Sequence, residues 1–245
     1  MTDASNLHGR VALVTGAAKR LGRAIALRLA HEGADVAVHY GKSAVAANEL
    51  VTEIAKLGRR SASFSAELTD VAAIQKLVAD VASHFAHLDI LVNGAANFLE
   101  TKFGATTEAT WDASLNTNLK APFFLSQAAA PHLAQSGRGV IVNFADIGGI
   151  LGWTEFLPHS VSKAGIILMT RILAKELAPA VRVNAIAPGT ISMPGDPPEW
   201  QADFIRRAPL RRTGRPEEIA DAVMYLIRAE FLTGHTLVLD GGRTL

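Results

Sequence analysis

The stretch from Val11 to Arg28, VALVTGAAKRLGRAIALR, restricts the possible folds more than any other part of the chain. Val11 to Val14 is a short apolar run of the kind buried on both faces of a parallel sheet. Thr15 and Gly16 end it. From Leu21 the apolar residues fall at Leu21, Ile25, Ala26 and Leu29, which is helical spacing. Strand, glycine turn and helix in this order bring backbone N–H groups and a helix N-terminus to face a phosphate. The spacing is not G-x-G-x-x-G: five residues separate Gly16 from Gly22, and Arg20 occupies a place where a middle glycine is usual. Taken alone, such a turn also serves as a tight βα connection with no ligand.

The rest of the chain repeats the alternation. Strands are predicted at Asp35–Tyr40, Ser61–Ala66, Asp89–Ala96 with its exit turn, Gly139–Ala145, Arg182–Gly189 and Thr236–Gly242. Helices fall between them. Val71–Phe85 carries Ile74, Leu77, Val78 and Val81 on one face. Trp111–Pro131 reads as one long helix bent at Pro122, and Pro216 opens a helix with Glu217 and Glu218 in its first turn. No repeat, low-complexity tract or linker interrupts this order. The pattern predicts the α/β class, a single Rossmann-type domain over 1–245. Its doubly wound parallel sheet has about seven strands with helices on both faces. Residues 1–10 are expected to form an N-terminal tail, and roughly 190–215 a substrate-loop region around the proline-rich, irregular Pro194–Trp200.

Composition removes several function classes. A net charge of +1 and the lack of a basic stripe with aromatics argue against nucleic acid as a partner. The chain has no cysteine, which removes disulfides, thiolate catalysis and cysteine-based zinc sites. No metal site is expected. No uncharged apolar run is long enough to span a membrane, and Met1–Arg10 lacks a signal-peptide core, so the expected setting is cytoplasmic.

The end of the second strand bears on cofactor choice. An acid there bonds the ribose 2′-hydroxyl of NAD, whereas a cation accommodates the 2′-phosphate of NADP. No acid occurs between Asp35 and Glu49, while His39, Lys42 and Ser43 are cationic or hydroxylic and Arg20 is a neighbouring candidate. NADPH is therefore the expected cofactor. Further along, Asp146 follows the fifth strand, and His159 and Lys163 are spaced i and i+4, so they share one face of a helix. Spacing alone also fits an exposed helix face. Strand ends at the carboxyl edge of an open sheet, however, line the ligand crevice.

From Val11 to Gly242 the chain resembles the short-chain dehydrogenase/reductase family. The matching features are the Thr15-Gly16 to Gly22 turn, Asn93-Gly-Ala, Asn118, the Asp146 position, the Lys163 helix, Pro188-Gly189 and Asp240-Gly-Gly. Lys19-Arg20-Leu21-Gly22, His39-Tyr40 with Ser43, Phe98, Asp146 and Arg243 are similar to the pteridine reductase and dihydromonapterin reductase branch. The resemblance implies a catalytic set of Asn118, Asp146, His159 and Lys163, in which Lys163 also holds the nicotinamide ribose and Asn118 a relay water. It implies cofactor contacts at Gly16, Lys19, Arg20, Leu21, Gly22, His39, Tyr40, Lys42, Ser43, Glu67, Leu68, Asn93, Gly94, Ala95, Pro188 and Gly189. It implies substrate contacts at Arg20, Phe98 and Asp146, with Phe98 stacking on a flat ring. It also implies a homotetramer built on the helices near Trp111 and Ser160. The departure is His159, where the family carries its proton-donating tyrosine; of the two tyrosines, the resemblance places Tyr40 at the adenosine side and Tyr225 lies in a late helix, so neither replaces it. Two functions are therefore open. One is an NADPH-dependent reductase of a dihydropteridine-like or carbonyl substrate. The other is a dinucleotide-binding pseudoenzyme, a sensor or scaffold without turnover.

Overall fold

Residues buried on both sides of a strand can be satisfied only by helices on both faces of a sheet, and the chain folds accordingly. The computed structural model describes residues 7–193, 195–196 and 198–245. Its strands are β1 (Val11–Val14), β2 (Asp35–Tyr40), β3 (Ser61–Ser65), β4 (Ile90–Asn93), β5 (Gly139–Phe144), β6 (Val181–Pro188) and β7 (Thr236–Leu239). Among the described residues they form one parallel sheet in the order β3-β2-β1-β4-β5-β6-β7. The helices are α1 (Arg20–His31), α2 (Ala44–Lys56), α3 (Val71–Phe85), α4 (Glu108–Leu115), α5 (Ala121–Gln135), α6 (Gly148–Leu151), α7 (Leu157–Glu176), α8 (Pro198–Arg207) and α9 (Pro216–Arg228).

β1 shows how the sequence codes for two layers. Ala12 and Val14 join the core beneath α1, α2 and α9, while Val11 and Leu13 join the opposite core beneath α3 and α5. Each fully buried Val or Leu side chain contributes about 1.5–3 kcal/mol of transfer free energy. Chain order reverses between β1 and β4, so a crevice opens there at the carboxyl ends of the strands.

Three expectations are corrected. The long helix predicted over Trp111–Pro131 begins at Glu108, ends at Gln135 and contains a π turn, Asn116–Lys120, which turns it before Pro122. A proline ring clashes with the carbonyl four residues earlier, here that of Asn118. The wider turn, closed by Ala121 N–H on Asn116 O, accommodates the ring. Secondly, part of the N-terminal tail is not a tail: Leu7 is fully buried and its N–H donates to Glu32 O at 2.7 Å. Thirdly, the segment expected to be irregular contains the start of α8, whose last turn carries Arg206 and Arg207. Pro194 and Pro197 lie outside the described residues. Both arginines pair with the single carboxylate of Asp203, and Arg212 pairs with Glu218.

Candidate active site

The glycine turn sits against the exit of β4 at the switch point. A Cβ on Gly22 would lie 2.2 Å from Gly16 O, and one on Gly16 would lie 2.9 Å from Ala95 Cα, so both positions require glycine. Gly16 also has φ +67°, and Arg20 takes φ +52°, a conformation rare for a side-chain-bearing residue. Thr15 joins the two turns, accepting from Gly94 N–H at 3.0 Å and Ala95 N–H at 3.2 Å through Oγ1. Lys19, the residue before α1, makes no side-chain cap, and the first turn of the helix holds no acid, which leaves its N-terminal dipole uncompensated there. Leu21 and Gly22 follow in that first turn.

Several expected contact residues are used differently. His39 is buried: its Nδ1 accepts from Gly16 N–H at 3.1 Å and its Nε2 faces Ala66 O at 3.2 Å. Burial lowers its pKa, so it is a neutral bridge between the glycine turn and the chain after β3, not a cation for a 2′-phosphate. Lys42 is exposed in the turn beyond Tyr40, and Ser43, the residue before α2, makes no capping bond with its hydroxyl. Glu67 is held below the usual carboxylate range, chiefly by the N–H of Thr69 and also by its hydroxyl. Leu68 packs its side chain into the core, leaving only its backbone to the crevice. Asn93 points inward as well, donating to Asn143 Oδ1 at 2.8 Å and Ser126 Oγ at 3.2 Å. Its amide holds β4 to β5 and α5 and does not reach into the crevice. Pro188 and Gly189 end β6, where a Cβ on Gly189 would strike Phe204 and Asp240.

Asp146, His159 and Lys163 converge past the end of β5. Lys163 is buried and its Nζ donates to Phe144 O at 2.7 Å. Burial pushes its pKa down to about 8, partly offset by Asp146. Asp146 Oδ1 accepts from Gly148 N–H at 2.6 Å, while Oδ2 lies 4.0 Å from His159 Nε2. His159 is 3% exposed, and its Nε2 has no hydrogen-bond partner. Gly149 allows this convergence, since a Cβ there would lie 2.6 Å from the Lys163 carbonyl carbon.

Around His159 stand Phe98, expected from the sequence, and Phe156, Trp153 and Asn97, which carry no local signal there. Phe98 stacks on Phe156 with centroids 4.1 Å apart and meets His159 edge-on at 4.7 Å. Trp153 lies parallel to the imidazole at 6.4 Å. The loop holding Phe98 is tied in place by Thr101 N–H on Glu155 O. More than half of Phe98 remains exposed. Asn97 binds Asn118 through three hydrogen bonds, and its carbonyl lies 3.3 Å from His159 Nδ1. Arg20 forms a two-pronged ion pair with Asp196 at 2.8 and 3.2 Å, linking the glycine turn to the segment after β6. The sequence offered a position for Arg20 but none for Asp196, 176 residues away.

A family model described as enoyl-(acyl carrier protein) reductase matches residues 16–244. The 3-oxoacyl-acyl-carrier-protein reductase of Staphylococcus aureus is 35% identical over 94% of this chain and 96% of its own. The 2-dehydro-3-deoxy-D-gluconate 5-dehydrogenase of Escherichia coli is 34% identical over 98% and 97%. Among solved structures, a short chain dehydrogenase from Burkholderia cenocepacia in complex with NADP superposes with a TM-score of 0.93 at 34% identity, covering 98% of this chain and 100% of that one. A blue fluorescent protein from a metagenomic library in complex with NADPH gives a TM-score of 0.93 at 31% identity, with coverage of 98% and 100%. Full-length matches at this identity agree with the glycine turn at the switch point and the Lys163 helix: the chain belongs to the short-chain dehydrogenase/reductase family.

Proposed function

We propose that the protein is an NADPH-dependent reductase acting on a carbonyl or dihydropteridine-like substrate, with His159 as its proton-transfer group. The observation that carries this reading is the buried His159 Nε2, which lacks a partner and lies beside Asp146 and one helical turn from the buried Lys163. A polar atom with no partner in a buried site is costly unless a ligand satisfies it.

The residues present fit the cofactor. Backbone N–H groups of the Gly16–Gly22 turn and the N-terminus of α1 suit a pyrophosphate. The exposed Lys42 and the free Ser43 hydroxyl suit a 2′-phosphate, with Tyr40 beside them. Gly94, Ala95, Lys163, Pro188 and Gly189 border the place for the nicotinamide half. Bound NADPH supplies a hydride. The protein's tasks are then orientation and proton delivery. Lys163, anchored on Phe144 O, keeps a cation under the site, and Asp146 opposite His159 orients the reacting group. Phe98, Phe156 and Trp153 give His159 an aromatic wall suited to a flat or unsaturated substrate. Phe98, Asp146 and Arg20 support the dihydropteridine option, while the ketoacyl reductases among the relatives support a carbonyl. Exposed Trp111, Phe123, Val161, Leu168 and Ile172 on α4, α5 and α7 support a homo-oligomer, with a tetramer as the proposed form.

The test follows loss of reduced-nicotinamide absorbance with dihydrobiopterin, a 3-oxoacyl thioester and a quinone. Turnover of at least one, lost in His159→Phe while NADPH still binds, supports the reading. Tight NADPH binding with no turnover on any of them would replace it with the dinucleotide-binding pseudoenzyme.

A further inference from the structure

We infer that Asn97 is a positioning residue that fixes which nitrogen of His159 carries the proton, and so makes the neutral ring a base and only the charged ring an acid. This rests on His159 being the proton-transfer group. Asn97 N–H donates to Asn118 Oδ1 at 2.9 Å, which fixes the orientation of the Asn118 amide. Asn97 Nδ2 donates to Ala113 O at 2.7 Å, which fixes the Asn97 amide with Oδ1 toward Asn118. Asn118 Nδ2 has two hydrogens. Its nearest acceptors are Asn97 O at 3.0 Å and Asn97 Oδ1 at 3.2 Å; His159 Nδ1 is farther, at 3.4 Å. The side-chain oxygen of Asn97 therefore uses the hydrogen that would otherwise go to the ring. His159 Nδ1 is left facing the Asn97 carbonyl at 3.3 Å, a contact that is favourable only if Nδ1 donates.

With Nδ1–H fixed, the neutral imidazole presents a lone pair at Nε2 and has no proton to give there. Only the doubly protonated ring carries Nε2–H. Reduction adds one hydride to the substrate carbon, supplied by NADPH, and one proton to its oxygen, supplied by Nε2; the ring ends neutral. In the reverse direction the substrate hydroxyl gives its proton to the Nε2 lone pair as its carbon gives a hydride to NADP+. Of the charged groups near this ring, Asp146 lies 4.0 Å from Nε2 and Lys163 stands one turn along α7. Asn97, Asn118, Phe98 and Trp153 complete the surroundings without charge.

Long-range 1H–15N correlation on the full-length protein labelled at histidine reads the tautomer directly, with the His159 signals assigned by their loss in His159→Gln. The expected result is a neutral ring protonated at Nδ1. Asn97→Ala frees one Asn118 hydrogen for Nδ1 and moves the proton to Nε2, whereas Asn97→Asp keeps an oxygen toward Asn118 and retains Nδ1–H. On a reducible substrate, Asn97→Ala raises the ratio of reductive kcat at alkaline to acidic pH by about ten-fold or more, since its neutral ring now holds a donor. A neutral wild-type ring protonated at Nε2 would overturn the inference, as would a folded Asn97→Ala protein that keeps Nδ1–H. The tautomer needs no turnover to be read. An inactive protein with Nδ1–H would therefore sink the reductase reading and leave this assignment standing.

Discussion

Replacing Lys163 by methionine is expected to make the protein more stable near neutral pH while abolishing its activity. The lysine ammonium is buried, and its protonation is disfavoured by burial, from an ordinary value of 10.5 down to about 8. At 1.36 kcal/mol per tenfold change in proton affinity, that difference is about 3 kcal/mol of destabilisation. Between about pH 8 and pH 10.5 the unfolded chain binds more protons at this site than the folded one, so wild-type stability rises with pH across that window. The cost is fully present below pH 8 and gone above 10.5. Methionine removes it but also removes the hydrogen bond to Phe144 O, worth about 1–2 kcal/mol. The variant should therefore gain about 1–2 kcal/mol at about pH 7 and lose that advantage, or fall below wild type, by about pH 10. Urea unfolding of both proteins at equal protein concentration across that range gives the difference curve. A difference that does not change with pH would refute the reasoning, because it would mean that Lys163 titrates alike in the folded and unfolded chain.

Two other perturbations test the cofactor crevice. NADPH should bind more tightly than NADH, and Lys42→Asp should narrow or reverse the preference by repelling a 2′-phosphate; equal dissociation constants in the wild type would remove the basis for assigning NADPH. Asp196→Asn should release the Arg20 guanidinium, tightening NADPH binding a few-fold while making the segment after β6 more open to limited proteolysis. Unchanged values for both would show that the ion pair is only a surface contact.

The fold and the candidate residues His159 and Lys163 were legible because their signals are local. A strand such as Val11–Val14 and a helix such as Val71–Phe85 are coded by periodicity within a few residues. His159 and Lys163 share a face simply because they are four apart. The glycines of the first turn were readable because no Cβ fits there. What the tertiary structure decided concerns groups that meet across long gaps in the chain. Periodicity does not indicate that His39 bridges Gly16 and Ala66, that Asn93 turns inward onto Asn143, or that Arg20 is held by Asp196. Nor does it place Phe156 and Trp153 beside Phe98, or put Asn97 between Asn118 and His159. A side chain's residue type states what it can donate or accept; the sequence by itself determined that much, along with the sheet that carries it. Which partner receives the hydrogen bond is set by packing between distant segments, and at His159 that packing turns Nδ1 to the Asn97 carbonyl and leaves Nε2 without a partner.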